Sequence, residues 1–355
     1  MIVLQVCAFA APNAGNFIAS LTHLEEQLAE KGIQTIYAFA DGAEDKPWCQ
    51  EIQKRTKVYF LPTAKARILP KTYHIFRKIY AENDVNITHS HFELYDIPAT
   101  VTAPQNVRIF WHLHDAIKLQ YQTAGNMKKL LTRIQYSSIW KRPMILSVSK
   151  EHAMFVNHLG FRAKRICYFP NGINTQRIQR TPLHKKHAQF LMFGWEVERK
   201  GVDLVVSAAE SLEQNSCVIR IVGQTECKNY LNAHVGIPCI VYQEPVEDIN
   251  LLYQNTSVFL HVSRAEGLSY ALLEVIYAGI PVICSDIPEN DFAHAFRNVY
   301  FVKSQDPDGI RDLILEFSKN PPAPSTEDNA YNRSIINQEY SLDAWSRRLI
   351  SLYLE

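Results

Sequence analysis

Residues 257–289 of this 355-residue chain, SVFLHVSRAEGLSYALLEVIYAGIPVICSDIPE, limit its fold more tightly than any other stretch. An apolar, β-branched run at 258–262 ends in a loop carrying Glu266 and Gly267. A helix-length stretch follows, then Gly279, Pro281 and a second apolar run, Val282-Ile283-Cys284. Strand, helix and strand in that order, with apolar strands, make the crossover unit of a buried parallel sheet. The strand-to-helix turn has a chemical consequence. Unpaired N–H groups and the positive end of the helix dipole converge there, so this Gly-bearing loop and the helix start after it are predicted to make an anion site. Glu266 and Glu274, eight positions apart, flank that turn from the loop and from the helix.

The same alternation runs along the whole chain. Strands are predicted near 2–9, 33–40, 57–61, 85–90, 107–112 and 143–148, with helices near 15–31, 67–82, 92–103, 125–140 and 149–159. A second set of strands is predicted near 188–194, 217–222, 238–242, 257–262, 281–285 and 299–302, with helices near 201–213, 247–255, 269–279 and 307–318. This pattern predicts an α/β fold of two Rossmann-like, doubly wound domains. The length agrees, since it exceeds one comfortable core. Phe169-Pro170-Asn171-Gly172 supplies turn chemistry at the joint, and PPAPSTEDN (321–329) is a second break. Beyond it, residues 332–355 read as helical, with Trp345, Leu349, Leu352 and Tyr353 at helix-face spacing.

Hydrophobic residues at 47% and charged residues at 21% describe a globular protein. No apolar run reaches the length of a membrane span. The apolar N-terminus lacks the basic segment of a signal peptide and reads as a buried strand. Seven scattered cysteines without close pairs predict reduced core thiols and a cytoplasmic setting. The net charge of +1 hides an asymmetry: residues 1–165 carry 21 Lys/Arg against 13 Asp/Glu, and the remainder 16 against 23. Much of the excess lies in KARILPKTYHIFRKIY (65–80) and MKKLLTRIQYSSIWKRP (127–143), where basic residues mix with aromatic and aliphatic ones. Two readings stay open. One is docking to anionic lipid headgroups, at the inner face of a membrane, or to a phosphate-bearing acceptor. The other is a pair of ordinary surface helices with solvated basic faces. No nucleic-acid-binding module is recognisable, so no nucleic acid partner is expected.

Ligands of open α/β sheets bind beyond the carboxyl ends of the strands. After the first strand, Gly15 leaves room for a backbone to approach a phosphate or sugar, although the GxGxxG dinucleotide fingerprint is absent. His89 and His91 close the fourth strand; His112 and His114 close the fifth, followed by Asp115. Alternate residues of a strand share a face, so each pair is expected to point one way. A polar tip at His114 or Asp115 suits a sugar hydroxyl, and His89 and His91 are candidates for acceptor contacts, while simple packing is the other reading of His89 and His112. His-x-His is also a metal-ligand spacing, but no third carboxylate or cysteine accompanies it, and neither metal nor cofactor is expected. In the second half, Arg199 and Lys200 stand just before a helix start, pairing cationic side chains with free amides as a diphosphate requires. Gly223 closes another strand and suits a base or ribose contact. Glu274 lies among Ala271, Leu272, Leu273, Val275, Ile276 and Ala278. If buried, it needs a partner, and a ribose diol is one. Phosphate, ribose and sugar hydroxyls together describe a nucleotide sugar.

Taken in order, the Gly15 loop, HLHDA (112–116), Ser147-Val148-Ser149, FPNGIN (169–174), ERKG (198–201) and EGLSYALLEVIYAGIPVICSD (266–286) resemble the family 4 retaining glycosyltransferases of GT-B architecture. The likeness runs nearly end to end, and its last segment is the most specific. It implies two Rossmann-like domains facing across a cleft: 1–168 with a returning C-terminal helix at 336–355 for the acceptor, and 169–335 for the nucleotide sugar. Carried over, Lys200 neutralises the diphosphate, Glu274 holds the ribose, Glu266 contacts donor-sugar hydroxyls, and His114 sits beside the transferred sugar. The amides of Gly267, Leu268 and Ser269 take the phosphates. The resemblance further implies a UDP-sugar donor, a glycan or lipid-linked acceptor, retention without a metal, and the departing phosphate oxygen as base. One residue departs from the pattern: Trp195 stands where the family often has Arg, so either Arg199 supplies that charge or phosphate binding is weaker than usual in the family. Two rival readings share the fold, a sugar-nucleotide epimerase or phosphorylase and an inactive scaffold.

Overall fold

The structure, a computed structural model, describes residues 1–114, 117–180, 188–212, 217–234 and 236–355. It divides into two compact units, residues 1–172 with 342–355, and residues 173–341. The first holds β1 (Ile2–Cys7), β2 (Gln34–Ala40), β3 (Val58–Leu61), β4 (Val85–His91), β5 (Arg108–Leu113), β6 (Met144–Ser147) and β7 (Arg165–Tyr168). These form one parallel sheet ordered β3-β2-β1-β4-β5-β6-β7. The second holds β8 (Ala188–Phe193), β9 (Cys217–Val222), β10 (Ile240–Gln243), β11 (Val258–His261), β12 (Val282–Asp286) and β13 (Val299–Lys303). Its parallel order is β10-β9-β8-β11-β12-β13. Both sheets are doubly wound, and each reverses its strand order once, between β1 and β4 and between β8 and β11. Those reversals are where ligands of this architecture bind.

Strands covered on both faces carry apolar residues at nearly every position. In β1, Val3 packs with Leu24, Leu28, Trp345, Leu349 and Tyr353, while Leu4 and Val6 pack on the other face with Phe76 and Ile79. The face of Val3 and Gln5 is thus roofed by the helices Gly15–Ala29 and Leu342–Leu354, which also pack on each other. The second core is centred on Val205, Ile219, Val258 and Ile283.

Three local readings need correction. β7 was not predicted: Arg165-Ile166-Cys167-Tyr168 is a half-exposed edge strand, and its pattern is correspondingly weak. The helices Pro47–Gln53 and Thr225–Ala233 were also not anticipated. The C-terminal stretch is two helices, Thr326–Glu339 and Leu342–Leu354, separated at Tyr340-Ser341. A Ser325/Asp328 capping box starts the first, which packs on Tyr270–Tyr277 of the second unit, whereas the second packs on the first unit. The unit limits therefore fall at 172 and 342, where turn and break interrupt the chain, rather than at 168 and 336. All seven cysteines are free thiols. Among the described residues no helix is long and apolar enough to cross a membrane.

Candidate active site

In the second unit, the turn after β8 is fixed by close approach of backbones. Gly201 has φ +75°, and a Cβ there would lie 2.3 Å from the main-chain oxygen of Val262. Only glycine allows the two strand-end segments to come so near. Gly194 is held likewise, 2.7 Å separating its would-be Cβ from Val202. Arg264 ties the segments further: its main-chain N–H donates to the Arg199 carbonyl (2.8 Å), and its guanidinium donates twice to Asp203 (2.7 Å each).

This packing brings Arg199 and Lys200 onto Glu266. Lys200 Nζ donates to Glu266 Oε1 at 2.6 Å, and Arg199 donates to Oε2 at 3.3 Å and to the Ala265 carbonyl at 3.2 Å. Arg199 also pairs with Glu196 at 2.6 Å. Burial alone would push the Glu266 carboxyl up, but Lys200, His261 and Arg199 outweigh it and hold it at about 2. His261, 3.9 Å from the same carboxylate, is pushed by burial down to about 4 and is neutral near pH 7. The predicted donor residues Lys200, Arg199 and Glu266 thus form one charge cluster. Trp195, 38% exposed, lies at the same strand end and carries no charge, so the arginine nearest this carboxylate is Arg199.

Ser269 caps the helix Tyr270–Tyr277, its Oγ accepting from the Leu272 N–H at 3.3 Å. The N–H groups of Gly267, Leu268 and Ser269 donate to no protein acceptor among the described residues. They are the amides at which the sequence led us to expect an anion.

Glu274 is 4% exposed, as its apolar neighbours required. The chain itself supplies partners for it. Arg177 donates to Oε1 and the Tyr253 hydroxyl to Oε2 at 3.0 Å, so a ribose diol is not needed to pay for burial. A carboxylate keeps further lone pairs for a ligand hydroxyl. Neither Arg177 nor Tyr253 was visible in the sequence reading. Gly223 is explained by packing, since a Cβ there would lie 2.5 Å from that of Cys227. Its N–H donates to Gln243 and its carbonyl accepts from the Tyr242 hydroxyl.

In the first unit, Gly15 opens the helix Gly15–Ala29 at φ +56°, with open space where a Cβ would stand. His89 and His91 correct the expectation of acceptor contacts: both are fully buried. The alternation did place them on one face, but that face is roofed by the C-terminal helix, whose Tyr353 hydroxyl meets His89 Nδ1 at 2.5 Å. His112 is buried too, stacked on His114 with ring centroids 4.2 Å apart. His114 alone of the four is half-buried; its ring packs against Phe17 and Phe92, and the Asn171 side chain hydrogen-bonds it. Asp115 lies outside the described residues. Burial, then the neighbouring histidines, pushes His89, His91 and His114 well below the ordinary histidine value; burial takes His112 down to about 3. All four are neutral near pH 7.

His89, His91 and His112 bring ring nitrogens within 4.8 Å of one another, the first requirement of a metal site. Their rings are stacked, however, at 27° for His89–His91 and 5° for His89–His112. Imidazole lone pairs lie in the ring plane, so stacked rings do not aim at one point. His91 moreover commits both nitrogens to Gln5 and His114. The geometry supports a hydrogen-bonded ladder.

Comparison with known proteins agrees with this arrangement. The family model described as Glycosyl transferases group 1 matches residues 174–335, and that described as Glycosyltransferase Family 4 matches residues 19–177. Lipopolysaccharide glucosyltransferase WaaG of Escherichia coli (strain K12) is 23% identical over 194 residues, 47% of this chain and 52% of that one. The match therefore spans about half the length of that relative. Sucrose-phosphate synthase from Thermosynechococcus elongatus superposes with a TM-score of 0.80 at 15% identity, covering 99% of this chain and 98% of that one. Anabaena Alr3699/HepE, solved in complex with UDP, gives 0.78 at 12% identity over 99% of each chain. At these identities the solved structures speak to the fold, which is the two-sheet GT-B architecture. With the two family models tiling both units in order, the chain belongs to the family 4, group 1 glycosyltransferases.

Proposed function

We propose that the chain is a retaining, metal-independent hexosyltransferase that takes a UDP-sugar and delivers the sugar to a hydroxyl of a lipid-linked glycan in cell-surface polysaccharide or glycolipid synthesis. The observation that carries this reading is the Lys200–Glu266–Arg199 cluster beside the unpaired amides of Gly267, Leu268 and Ser269. A departing UDP gains negative charge on its phosphate, and fixed cations and amides aimed at that charge lower the barrier most. Lys200 and Arg199 supply the cations. Glu266 orients them and offers its remaining lone pairs to donor-sugar hydroxyls, while Glu274 meets the ribose. The departing phosphate oxygen takes the proton of the acceptor hydroxyl, so no protein general base is assigned. His114 is the strand-end histidine of the first unit exposed enough to meet a hydroxyl. Support for the donor comes from Alr3699/HepE, solved with UDP and with UDP-glucose; support for a lipid-bearing acceptor comes from the lipopolysaccharide activity in the Escherichia coli relative's name. Titration calorimetry with UDP, and turnover across a panel of UDP-sugars, test the reading. Lys200→Ala is expected to weaken UDP binding and cut transfer by about 10²–10³-fold. Parent-like turnover in that variant removes the role, and a UDP-sugar altered without acceptor would favour an epimerase.

The same reading places the chain at an anionic membrane surface on the cytoplasmic side. Here the two basic stretches differ. The helix Pro70–Glu82 buries Phe76 and Ile79 in the core, as an ordinary surface helix does. The helix Asn126–Ser138 leaves Met127, Leu130, Leu131 and Ile134 each at least 50% exposed, beside Lys128, Lys129 and Arg133 and without an acidic residue. Exposed apolar residues next to cations suit the headgroup boundary of an anionic bilayer. The chain is expected to co-sediment with vesicles containing anionic lipid and not with purely zwitterionic ones. A Leu130→Ser/Leu131→Ser double variant should lose most of that binding; unchanged binding would reject this helix as the contact.

A further inference from the structure

The guanidinium of Arg199 makes unequal contacts. Its Nη1 faces inward, donating to the Ala265 carbonyl at 3.2 Å and to Glu266 Oε2 at 3.3 Å. Its Nη2 donates to Glu196 Oε1 at 2.6 Å, shorter than either inward bond. Glu196 stands directly before the short helix Val197–Lys200, at the position whose side chain ordinarily caps the first free amides. It makes no such cap and turns instead to Arg199, three residues on. Lys200 and Glu266 also lie within electrostatic range of its carboxylate.

The two carboxylates on Arg199 differ in how readily they can leave. The Glu266 side chain is 6% exposed and is held by Lys200 as well, so moving it would strip two cations of a buried partner. The Glu196 side chain is 57% exposed. Water can take over its hydrogen bonds, and ion pairs so exposed are weak. Glu196 is nonetheless charged at neutral pH, because the hydrogen bond from Arg199 holds its carboxyl below the ordinary value. With Glu196 in place, Lys200 and Arg199 are matched by two carboxylates, while His261 beside them is neutral. The cluster therefore offers a diphosphate no net positive charge until one carboxylate withdraws, and Glu196 is the one free to do so.

We propose that Glu196 is a built-in counter-anion: in the free protein its carboxylate occupies the solvent-facing edge of the Arg199 guanidinium, and a ligand phosphate displaces it into water and takes that edge. The ligand chemistry, a nucleoside diphosphate, rests on the transferase reading of the same site. Displacement exchanges one anion for another on Arg199, so the guanidinium is never left without a partner, and the affinity for the nucleotide is set by this competition. The planar fork of arginine suits the exchange, since it accepts a carboxylate or a phosphate in the same geometry.

Titration calorimetry of the full chain with UDP at low salt tests this. Glu196→Gln keeps the shape of the side chain and removes its charge; it is expected to tighten UDP binding by about fivefold. Glu198→Gln removes the same charge from an exposed neighbour that makes no bond to Arg199, and is expected to change the affinity by less than about twofold. Equal UDP affinity in the parent and in Glu196→Gln would overturn the proposal. Equal gains from the two variants would overturn it as well, since they would report a general charge effect. UDP bound by neither the parent nor Glu196→Gln would remove the transferase reading and this proposal together. Whether the parent binds UDP thus tells the two failures apart.

Discussion

The two sheets bury polar side chains at corresponding strand ends by opposite means. In the first unit His89, His91, His112 and His114 are neutral, stacked on one another and joined to Gln5 and Tyr353. In the second the buried carboxyl groups meet cations: Glu266 lies between Lys200 and Arg199, and Glu274 is held by Arg177 and Tyr253. A buried carboxylate is tolerated only with cations and hydrogen bonds around it. Neutral imidazoles cost less to bury and are directional, each offering one donor and one acceptor. The contrast shows a division of labour within one architecture. The second unit holds charge, and the first aims hydrogen bonds.

Removing a charge should break the contrast most severely. Glu266→Ala strips the anion from two partly buried cations and is expected to cost about 3 kcal/mol, read as a lower denaturant midpoint. His89→Phe exchanges one planar ring for another of similar volume and is expected to cost less than about 1.5 kcal/mol. If the two variants were equally stable, the ion cluster would not be the structural hub described above.

Acid should sharpen the comparison with a smaller effect. The first-unit histidines are held below the ordinary value of 6.5, His112 at about 3, mainly by burial. The unfolded chain takes up those protons first, so stability from these groups is complete above pH 6.5 and falls as pH drops below it. Glu266 is held at about 2 against an ordinary 4.5, so its contribution is complete above pH 4.5 and is lost towards pH 2. Among the described residues of the second unit, His261 is the histidine that burial shifts down, from 6.5 to about 4. In hydrogen exchange, protection in β4 and β5 is therefore expected to decline more steeply below about pH 6 than protection in β11, which loses the His261 contribution over that range and the Glu266 contribution only below about pH 4.5. The reverse order would contradict the assignment of charge to the two units.

Much of the candidate site was legible because its signals are local. Gly201, Arg199 and Lys200 are contiguous, and Gly267 to Ser269 announce a strand-to-helix turn by composition. The unread parts depended on contacts between distant segments. The burial of Glu274 followed from its apolar neighbours, yet Arg177, 97 positions away, carries no mark of its role. Strand alternation placed His89 and His91 on one face but did not say that a helix covers it. The edge strand β7 was missed because half-exposed positions blur the apolar pattern. The C-terminal helix was read as one because Tyr340-Ser341 is no breaker by composition.

By itself, the amino-acid sequence determined the order of strands and helices, the two doubly wound units and the strand-to-helix turn at residues 267–269. Propensity, periodicity and turn chemistry are properties of a few neighbouring residues, which is why those features survive without coordinates. Only the tertiary structure decided which buried polar groups became partners. Pairing depends on where remote segments pack, as when Tyr353 reaches Gln5 and Arg177 reaches Glu274. Burial then turns such a meeting from an accident of the surface into a requirement of the fold, because an unpartnered charge or donor in the interior costs more than the packing around it returns.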